Sequence, residues 1–280
     1  MTAIASERGH ADRLGASERV VRLITSVWLL VAFFVVWEVW TTNSPSLFVP
    51  PMTDIVQRFV EVWLSSEPTQ LFLSDQFWAD GRASLFRALA GWALAAGFGI
   101  GFGLVLGMWR PAAWFCDPIV RFGIATPSTI LLPVAILLFG ITSWMNIFLI
   151  AFGAVWVILV NTTDGVRSLH RTTVLTARSL RLSRTRYFFQ ILLPGASPQI
   201  FTGLRVSIGI ALILMVVSEL FAASEGVGFY IVHSQRTFRY LDMWSAIFLL
   251  GVIGVVANLL FAAAERRILR WHREAFGGGS

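Results

Sequence analysis

The residue types that most often carry chemistry are few and scattered in this sequence. The histidines (His10, His170, His233 and His272) and the single cysteine, Cys116, have no spacing that would let them share a metal ion. One cysteine cannot form a disulfide within the chain. The chain has no lysine, so it cannot contain the phosphate-binding loop Gly-x4-Gly-Lys-[Ser/Thr]. We therefore predict no metal, no cofactor and no enzyme activity.

Charged and hydroxyl side chains inside apolar segments are the remaining candidates, because ionisable groups at membrane depth are costly and usually functional. Arg205 either extends to lipid phosphate or meets an anionic substrate. Glu219 is expected to hold a turn that Gly226 and Gly228 allow. It lies fourteen residues from Arg205, about 21 Å along a helix, so these two do not pair within one helix. The candidates for a translocation path are Ser128, Thr129, Arg205, Ser207, Ser218 and Glu219.

The composition places these candidates in a membrane protein. Hydrophobic residues make up 56% of the 280 residues and charged residues 14%, whereas about 25% is charged in a soluble domain. About 20 apolar residues cross a bilayer as a helix. Six segments fit, so we predict an all-α, polytopic membrane helical bundle over 23–264, with tails at 1–22 and 265–280. The predicted spans are about 23–42, 85–109, 122–141, 144–163, 199–220 and 243–264.

Local signals within these segments predict how they pack. The second span has many glycines, which let helix backbones approach closely in lipid. Pro127 and Pro133 predict a kink in the third span, either beside a cavity or for packing alone. A short amphipathic helix is expected over 54–64.

The distribution of arginine predicts the orientation. With the N terminus inside, four of the 22 basic residues fall outside and two within spans, which leaves sixteen on the cytoplasmic side. The four outside are Arg58, Arg82, Arg236 and Arg239. Both termini and the loop 164–198, called here the arginine-rich loop, are then cytoplasmic. Because the arginines cluster between spans, nucleic-acid binding is not expected.

Within the arginine-rich loop, residues 171–194 read RTTVLTARSLRLSRTRYFFQILLP. The pattern predicts two short amphipathic helices joined at a bend, ended by Pro194 and Pro198 before the fifth span. Such a pair either docks a cytosolic partner or lies on anionic lipid through its arginines.

This segment resembles the cytoplasmic loop signature of ABC importer permeases, Glu-Ala-Ala, three residues, Gly, nine residues, Ile-x-Leu-Pro. The end of the signature and Ala177 match, whereas Leu175, Thr176 and Arg181 stand at the Glu, first Ala and Gly positions. In that family the loop docks into the ATPase subunit. The resemblance therefore implies ATPase-coupling roles for Val174, Leu175, Thr176, Ala177, Arg178, Leu180, Arg181, Ile191, Leu193 and Pro194.

The blocks SLFVPPMTDIV, FGITSWMNIFLIAFGAVWVILVNTTDGVRS and SELFAASEGVGFYI resemble the nitrate, sulfonate and taurine branch of these permeases. The resemblance implies a type I ABC importer permease (MetI-like) fold in a prokaryotic cell membrane. It also implies three protein partners, which are ABC ATPase subunits, an extracytoplasmic substrate-binding protein and a second permease copy. Membrane lipid is the remaining predicted partner. The alternative is a stand-alone secondary transporter or channel.

Overall fold

The computed structural model describes the backbone of residues 16–67 and 71–269, and most of their side chains. The side chains of residues 16–27, 30, 171, 174 and 178 are outside this description, and so are most of the two predicted tails. The described chain is almost entirely helical. Its helices are α1 (Ala16–Asn43), α2 (Met52–Trp63), α3 (Arg82–Met108), α4 (Arg110–Ala125), α5 (Leu132–Phe139), α6 (Ser143–Arg167), α7 (Arg171–Ser179), α8 (Arg184–Tyr187), α9 (Leu193–Ala222), α10 (Val227–Arg236) and α11 (Tyr240–Ile268).

Four helical stretches among the described residues are long and apolar enough to cross a membrane. They are Phe77–Met108, Ser143–Arg167, Arg184–Ala222 and Tyr240–Ile268. The bent pair α4 and α5 would make a fifth. The first predicted span, 23–42, lies on α1, whose side chains are only partly described, so the total of six stays a prediction. The amphipathic helix expected over 54–64 is present as α2.

The predicted kink in the third span is confirmed at Pro127, whereas the expectation for Pro194 and Pro198 was wrong. The third apolar segment starts at Arg110, well before residue 122, and α4 runs through Pro118. It then breaks near Pro127, where α4 and α5 meet at 88°. Pro194 and Pro198 do not end a loop helix, because α9 begins at Leu193 and continues through both.

The described chain divides into two compact units at residues 58 and 59. In the first unit, Glu38 near the end of α1 accepts hydrogen bonds from the Met52 amide at 2.8 Å and the Thr53 hydroxyl at 2.7 Å. The carboxylate therefore caps the first turn of α2, where helix amides lack partners within the helix.

In the second unit, α3 and α6 pack side by side along a seam of glycines, called here the glycine seam. Cβ atoms built on Gly91, Gly99, Gly103 and Gly107 would lie 2.5–2.8 Å from the Cβ atoms of α6 residues. The facing residues are Ile150, Ile158, Thr162 and Val166. The residue numbers rise together and with the same spacing along both helices, so α3 and α6 run parallel. Glycine allows this approach, which lets dispersion contacts hold helices together in lipid.

Helix α9 completes this core by packing against both α6 and α3. Gly203 packs against Asn161 and Ile158, and a Cβ on Gly165 would lie 2.9 Å from the Ala196 carbonyl oxygen. Buried small residues such as Ala95, Ala154 and Ala196 continue the contact. By contrast, only 11% of the apolar stretch of α11 is buried within the chain. Its apolar surface therefore requires lipid or another protein as a neighbour.

The glycine seam predicts a difference between two neighbouring glycines of α3. Gly103→Ala is expected to destabilise the fold by about 1–3 kcal/mol, because the added methyl overlaps Thr162 and the Leu159 carbonyl. Gly101→Ala is the matched control, since nothing lies within 4 Å of its added Cβ. That variant should keep the stability of the parent or gain up to about 1 kcal/mol, because alanine has a higher helix propensity than glycine. Thermal unfolding in detergent measures both, and equal losses would contradict the seam.

Candidate functional site

The arginine-rich loop contains two short helices that meet at a bend. Helix α7 ends at Ser179, and α8 begins at Arg184 after Ser183, whose hydroxyl accepts a hydrogen bond from the Arg186 amide. A wider helical turn, Phe188–Leu192, then leads into α9 without a break. The stretch Arg184–Ala222 is therefore one helical rod of 39 residues, about 58 Å long at 1.5 Å per residue.

The bend between α7 and α8 depends on Arg181, which has a φ of +48°. This is the left-handed backbone conformation that residues other than glycine rarely adopt. Two backbone hydrogen bonds close the end of α7: Leu180 donates to Thr176, and Leu182 donates to Ala177. Arg181 stands at the glycine position of the signature, so the structure supplies a physical reason for glycine there.

The side chains of the loop divide into an anchor and an exposed tip. Ala177 and Leu192 are 3% and 2% exposed and hold the loop to the bundle. Leu175 and Leu180 are 48% and 67% exposed. Thr176 and Arg181 are also exposed, whereas Ile191, Leu193 and Pro194 are half-buried. The side chains of Val174 and Arg178 are outside the described residues.

At the other end of α9, a buried ion pair joins four helices. Arg87 of α3 donates from Nη1 to Glu219 Oε1 at 2.9 Å, with side chains 4% and 0% exposed. Its Nη2 meets Glu225 at 2.9 Å, and its Nε donates to the Ser143 hydroxyl of α6 at 3.0 Å. We call Arg87, Glu219, Ser84 and Asp80 the buried ion cluster. The Glu225 side chain, which is 56% exposed, borders it at the surface.

The same cluster receives the first amides of α10. Gly226 N donates to Asp80 at 2.7 Å, Val227 N to the Ser84 hydroxyl at 2.8 Å, and Gly228 N to Glu219 at 3.0 Å. The Ser84 hydroxyl in turn donates to Glu219. The amino end of a helix favours negative charge, which suits the two carboxylates. Gly226 has a φ of +117°, and a Cβ there would lie 2.6 Å from the Glu219 carboxyl carbon.

The six path candidates do not share one surface of the described chain. Ser207 is buried, accepts from Trp92 Nε1 at 2.9 Å and donates to Leu204. Ser218 is buried and donates to Met215. Ser128 is half-buried and Thr129 exposed, at the break between α4 and α5.

The two charged candidates are both paired. Arg205 forms an ion pair with Glu265 of α11, and Glu219 belongs to the buried ion cluster. Sequence reasoning missed Arg87 as the partner of Glu219. The available signal was that Arg87 is one of two arginines inside predicted spans, where a charge needs a partner of opposite sign.

Comparisons with known proteins agree on one kind of protein. The family described as "Binding-protein-dependent transport system inner membrane component" matches residues 97–270. The chain is 30% identical over 276 residues to the taurine transport system permease protein TauC of Escherichia coli (strain K12), covering 98% of this chain and 99% of that protein. It is 29% identical over 243 residues to the bicarbonate transport system permease protein CmpB of Synechococcus elongatus, covering 86% and 87%.

Solved structures agree on the fold. A chain of the MetNI methionine ABC transporter superposes with a TM-score of 0.55 and 18% identity, over 74% of this chain and 98% of that chain. The likeness confirms the predicted all-α, MetI-like fold.

The buried ion cluster predicts large losses from single substitutions. Arg87→Met is expected to destabilise the chain by about 3–5 kcal/mol, because it leaves the buried Glu219 carboxylate without its cation. Glu219→Met should cost less, because Arg87 keeps its pair with Glu225. The double variant Arg87→Met, Glu219→Met should lose less stability than the two single variants lose together. Thermal unfolding of the purified variants measures the cycle.

The control for this cycle is Arg121→Gln, which breaks the exposed pair of Arg121 with Asp117. It should change stability little, because water already solvates both groups. A loss as large as that of Arg87→Met, or strictly additive losses in the cycle, would contradict the role given to the cluster.

Proposed function

The chain belongs to the family of binding-protein-dependent transport system inner membrane components, and from this premise we propose that two copies of it form the path of a small anionic solute into the cell. It is the permease subunit of an ABC importer and a multi-pass membrane protein. It is not an enzyme: a separate ATPase subunit hydrolyses ATP, and a substrate-binding protein delivers the solute.

The observation that carries the proposal is the form of the arginine-rich loop. Its tip presents Leu175 and Leu180 to solvent, while Ala177 anchors it. Exposed leucines at a bend suit a cleft on the ATPase, since the burial of apolar surface favours most protein–protein association. Contact roles for Val174, Thr176, Arg178, Arg181, Ile191, Leu193 and Pro194 belong to the same proposal.

The rod from Arg184 to Ala222 offers a route for the coupling. Movement of the ATPase subunits would displace α8, and a continuous helix transmits displacement along its axis. Glu219 lies near the far end of this rod, where the buried ion cluster ties it to α3, α6 and α10. Closure of the ATPase subunits on ATP would thus move the outer ends of the helices and switch the permease from its inward-open to its outward-open state.

The orientation follows from the arginine count. Sixteen arginines on one side and four on the other favour cytoplasmic termini and a cytoplasmic arginine-rich loop. The buried ion cluster then lies toward the outer face, because α9 runs between the two ends.

Two copies related by a two-fold axis suit the path. Five or six helices enclose little space, and closed two-fold symmetry is the commonest assembly of identical chains. The largely unburied apolar stretch of α11 leaves room for such contacts beside lipid.

The solute is proposed to be a small oxyanion of the sulfonate, taurine, nitrate or bicarbonate type. Taurine and bicarbonate, which appear in the names of two relatives, both carry an anionic group of oxygens. The Glu219 carboxylate is buried and paired with Arg87, so it is kept away from a passing anion. Ser128, Thr129 and Arg205 remain the proposed contacts along the path. Ser207 and Ser218 are buried in the helix core and donate to carbonyls of their own helix, so they are withdrawn as contacts.

The loop proposal predicts that Leu180→Asp uncouples transport. The variant should assemble and melt like the parent, because Leu180 is 67% exposed, yet substrate-stimulated ATPase activity should fall at least about tenfold. Burying a charge in the ATPase cleft would remove an apolar contact and desolvate a carboxylate. The activity is measured in the reconstituted complex with its binding protein.

Thr185→Asp is the matched control, since it adds the same charge at an exposed position of α8. It should retain coupling. Unchanged activity of Leu180→Asp would contradict the docking role.

Labelling of Leu180→Cys from outside the cell by an impermeant thiol reagent, in a Cys116→Ser background, would contradict the orientation.

The solute proposal predicts which compounds stimulate the ATPase. In the complex with its binding protein, taurine, alkanesulfonates, nitrate or bicarbonate should raise ATP hydrolysis, whereas neutral pyrimidines should not. Stimulation by the pyrimidines and by none of the anions would contradict an oxyanion substrate.

A further inference from the structure

A large pocket lies beside the arginine-rich loop, apart from its exposed tip. It has a volume of about 980 Å³ and lies between the ends of α3 and α6, the start of α4, and the α7–α8 segment. We call it the basic pocket. Ligand pockets in proteins commonly have volumes of about 300–1,000 Å³, so it can hold a polar headgroup together with the start of its chains.

The charges around the basic pocket are mostly positive. Arg110, Arg167 and Arg184 line it, against the single carboxylate of Asp117. That carboxylate is already paired with Arg121 at 2.6 Å. Arg167 donates to the Leu106 carbonyl oxygen. Within the part of the chain that the structure describes, no carboxylate pairs with Arg110 or Arg184. The pocket therefore has guanidinium groups available to an anion.

The remaining surface of the basic pocket is apolar and lies where the membrane helices end. Met108 and Val166, near the ends of α3 and α6, line it together with Leu182. Trp114 of α4 borders it and is 85% exposed. Tryptophan and arginine are enriched at the level of lipid headgroups, where an apolar body and a polar group both find partners. Cationic groups above an apolar floor match an anionic lipid better than a soluble ion.

From these observations we propose that the basic pocket binds the phosphate headgroup of an anionic phospholipid, such as phosphatidylglycerol, with its acyl chains against the apolar floor. Basic pockets between membrane helices on the cytoplasmic side hold acidic headgroups in this way. A bound lipid would connect α4 to α8, and so join the arginine-rich loop to the bent pair α4–α5. The ATPase is proposed to contact the exposed tip at Leu175 and Leu180, which is a different surface. The inference rests on the proposed cytoplasmic orientation of the loop.

The test is native mass spectrometry of the delipidated permease–ATPase complex, titrated separately with phosphatidylglycerol and phosphatidylcholine. The parent should bind phosphatidylglycerol in preference to phosphatidylcholine. The double variant Arg110→Gln, Arg184→Gln should weaken phosphatidylglycerol binding about fivefold for each arginine removed, since one surface arginine contributes about that factor. The matched control is Arg186→Gln, Arg266→Gln, which removes the same charge from exposed positions on the same predicted side of the membrane and should bind like the parent.

Several outcomes would overturn the lipid site. One is an equal loss in the control pair, and another is equal binding of phosphatidylcholine. Full competition by inorganic phosphate would assign the pocket to a soluble anion. Loss of the ATPase from the double variant in phosphatidylcholine alone would assign the arginines to the subunit interface.

A charge-retaining variant distinguishes loss of the lipid site from misfolding. Arg110→Lys, Arg184→Lys keeps the charge and should retain at least half of the lipid preference, which guards against a variant that fails to fold. Lipid binding is read without transport or ATP. A failed lipid site would thus leave the coupling result for Leu180→Asp unaffected, and a failed coupling role would leave the lipid titration readable.

Discussion

The pairing of Arg87 with Glu219 constrains the rest of the structure, because a charge that water cannot reach must find its partner inside the chain. Arg87 uses Nε, Nη1 and Nη2 on acceptors from α6, α9 and the segment before α10. Glu219 accepts from Ser84, Arg87 and the Gly228 amide. All of these groups must meet at one point, so the cluster defines where four helices stand relative to one another at this end of the bundle.

The glycine seam makes that meeting possible and extends it along the helices. Gly91 lies four residues after Arg87, and the seam continues to Gly107 at the other end of α3. Close parallel contact with α6 brings Ser143 within reach of Arg87, and it brings Arg167 to the Leu106 carbonyl. Helix α9 packs against both α6 and α3 and links the two ends in one rod. Short contacts and continuous helices therefore connect the loop to the cluster.

Much of the architecture followed from periodicity and composition. Long apolar runs predicted the membrane helices α3, α6, α9 and α11, since only a helix satisfies its own backbone in lipid. The amphipathic pattern predicted α2 and the two helices of the arginine-rich loop. Proline was less informative. Pro118 and Pro198 lie inside helices, whereas Pro127 marks the break between α4 and α5, where a kink was predicted. Whether a proline kinks, starts or interrupts a helix depends on which neighbour satisfies the freed carbonyl, and local sequence does not contain that neighbour.

By itself the sequence determined the fold class, the glycine-rich character of α3, the cationic loop and its likeness to a permease signature. Tertiary structure alone decided which charges meet. Arg87 and Glu219 are 132 residues apart, and Arg205 pairs with Glu265 of α11 rather than with a residue of its own helix. It also decided that Ala177 is an anchor while Leu180 is exposed. The reason is geometric: a helical pattern gives the spacing of side chains along one axis, whereas contacts depend on how each helix is rotated against its neighbours.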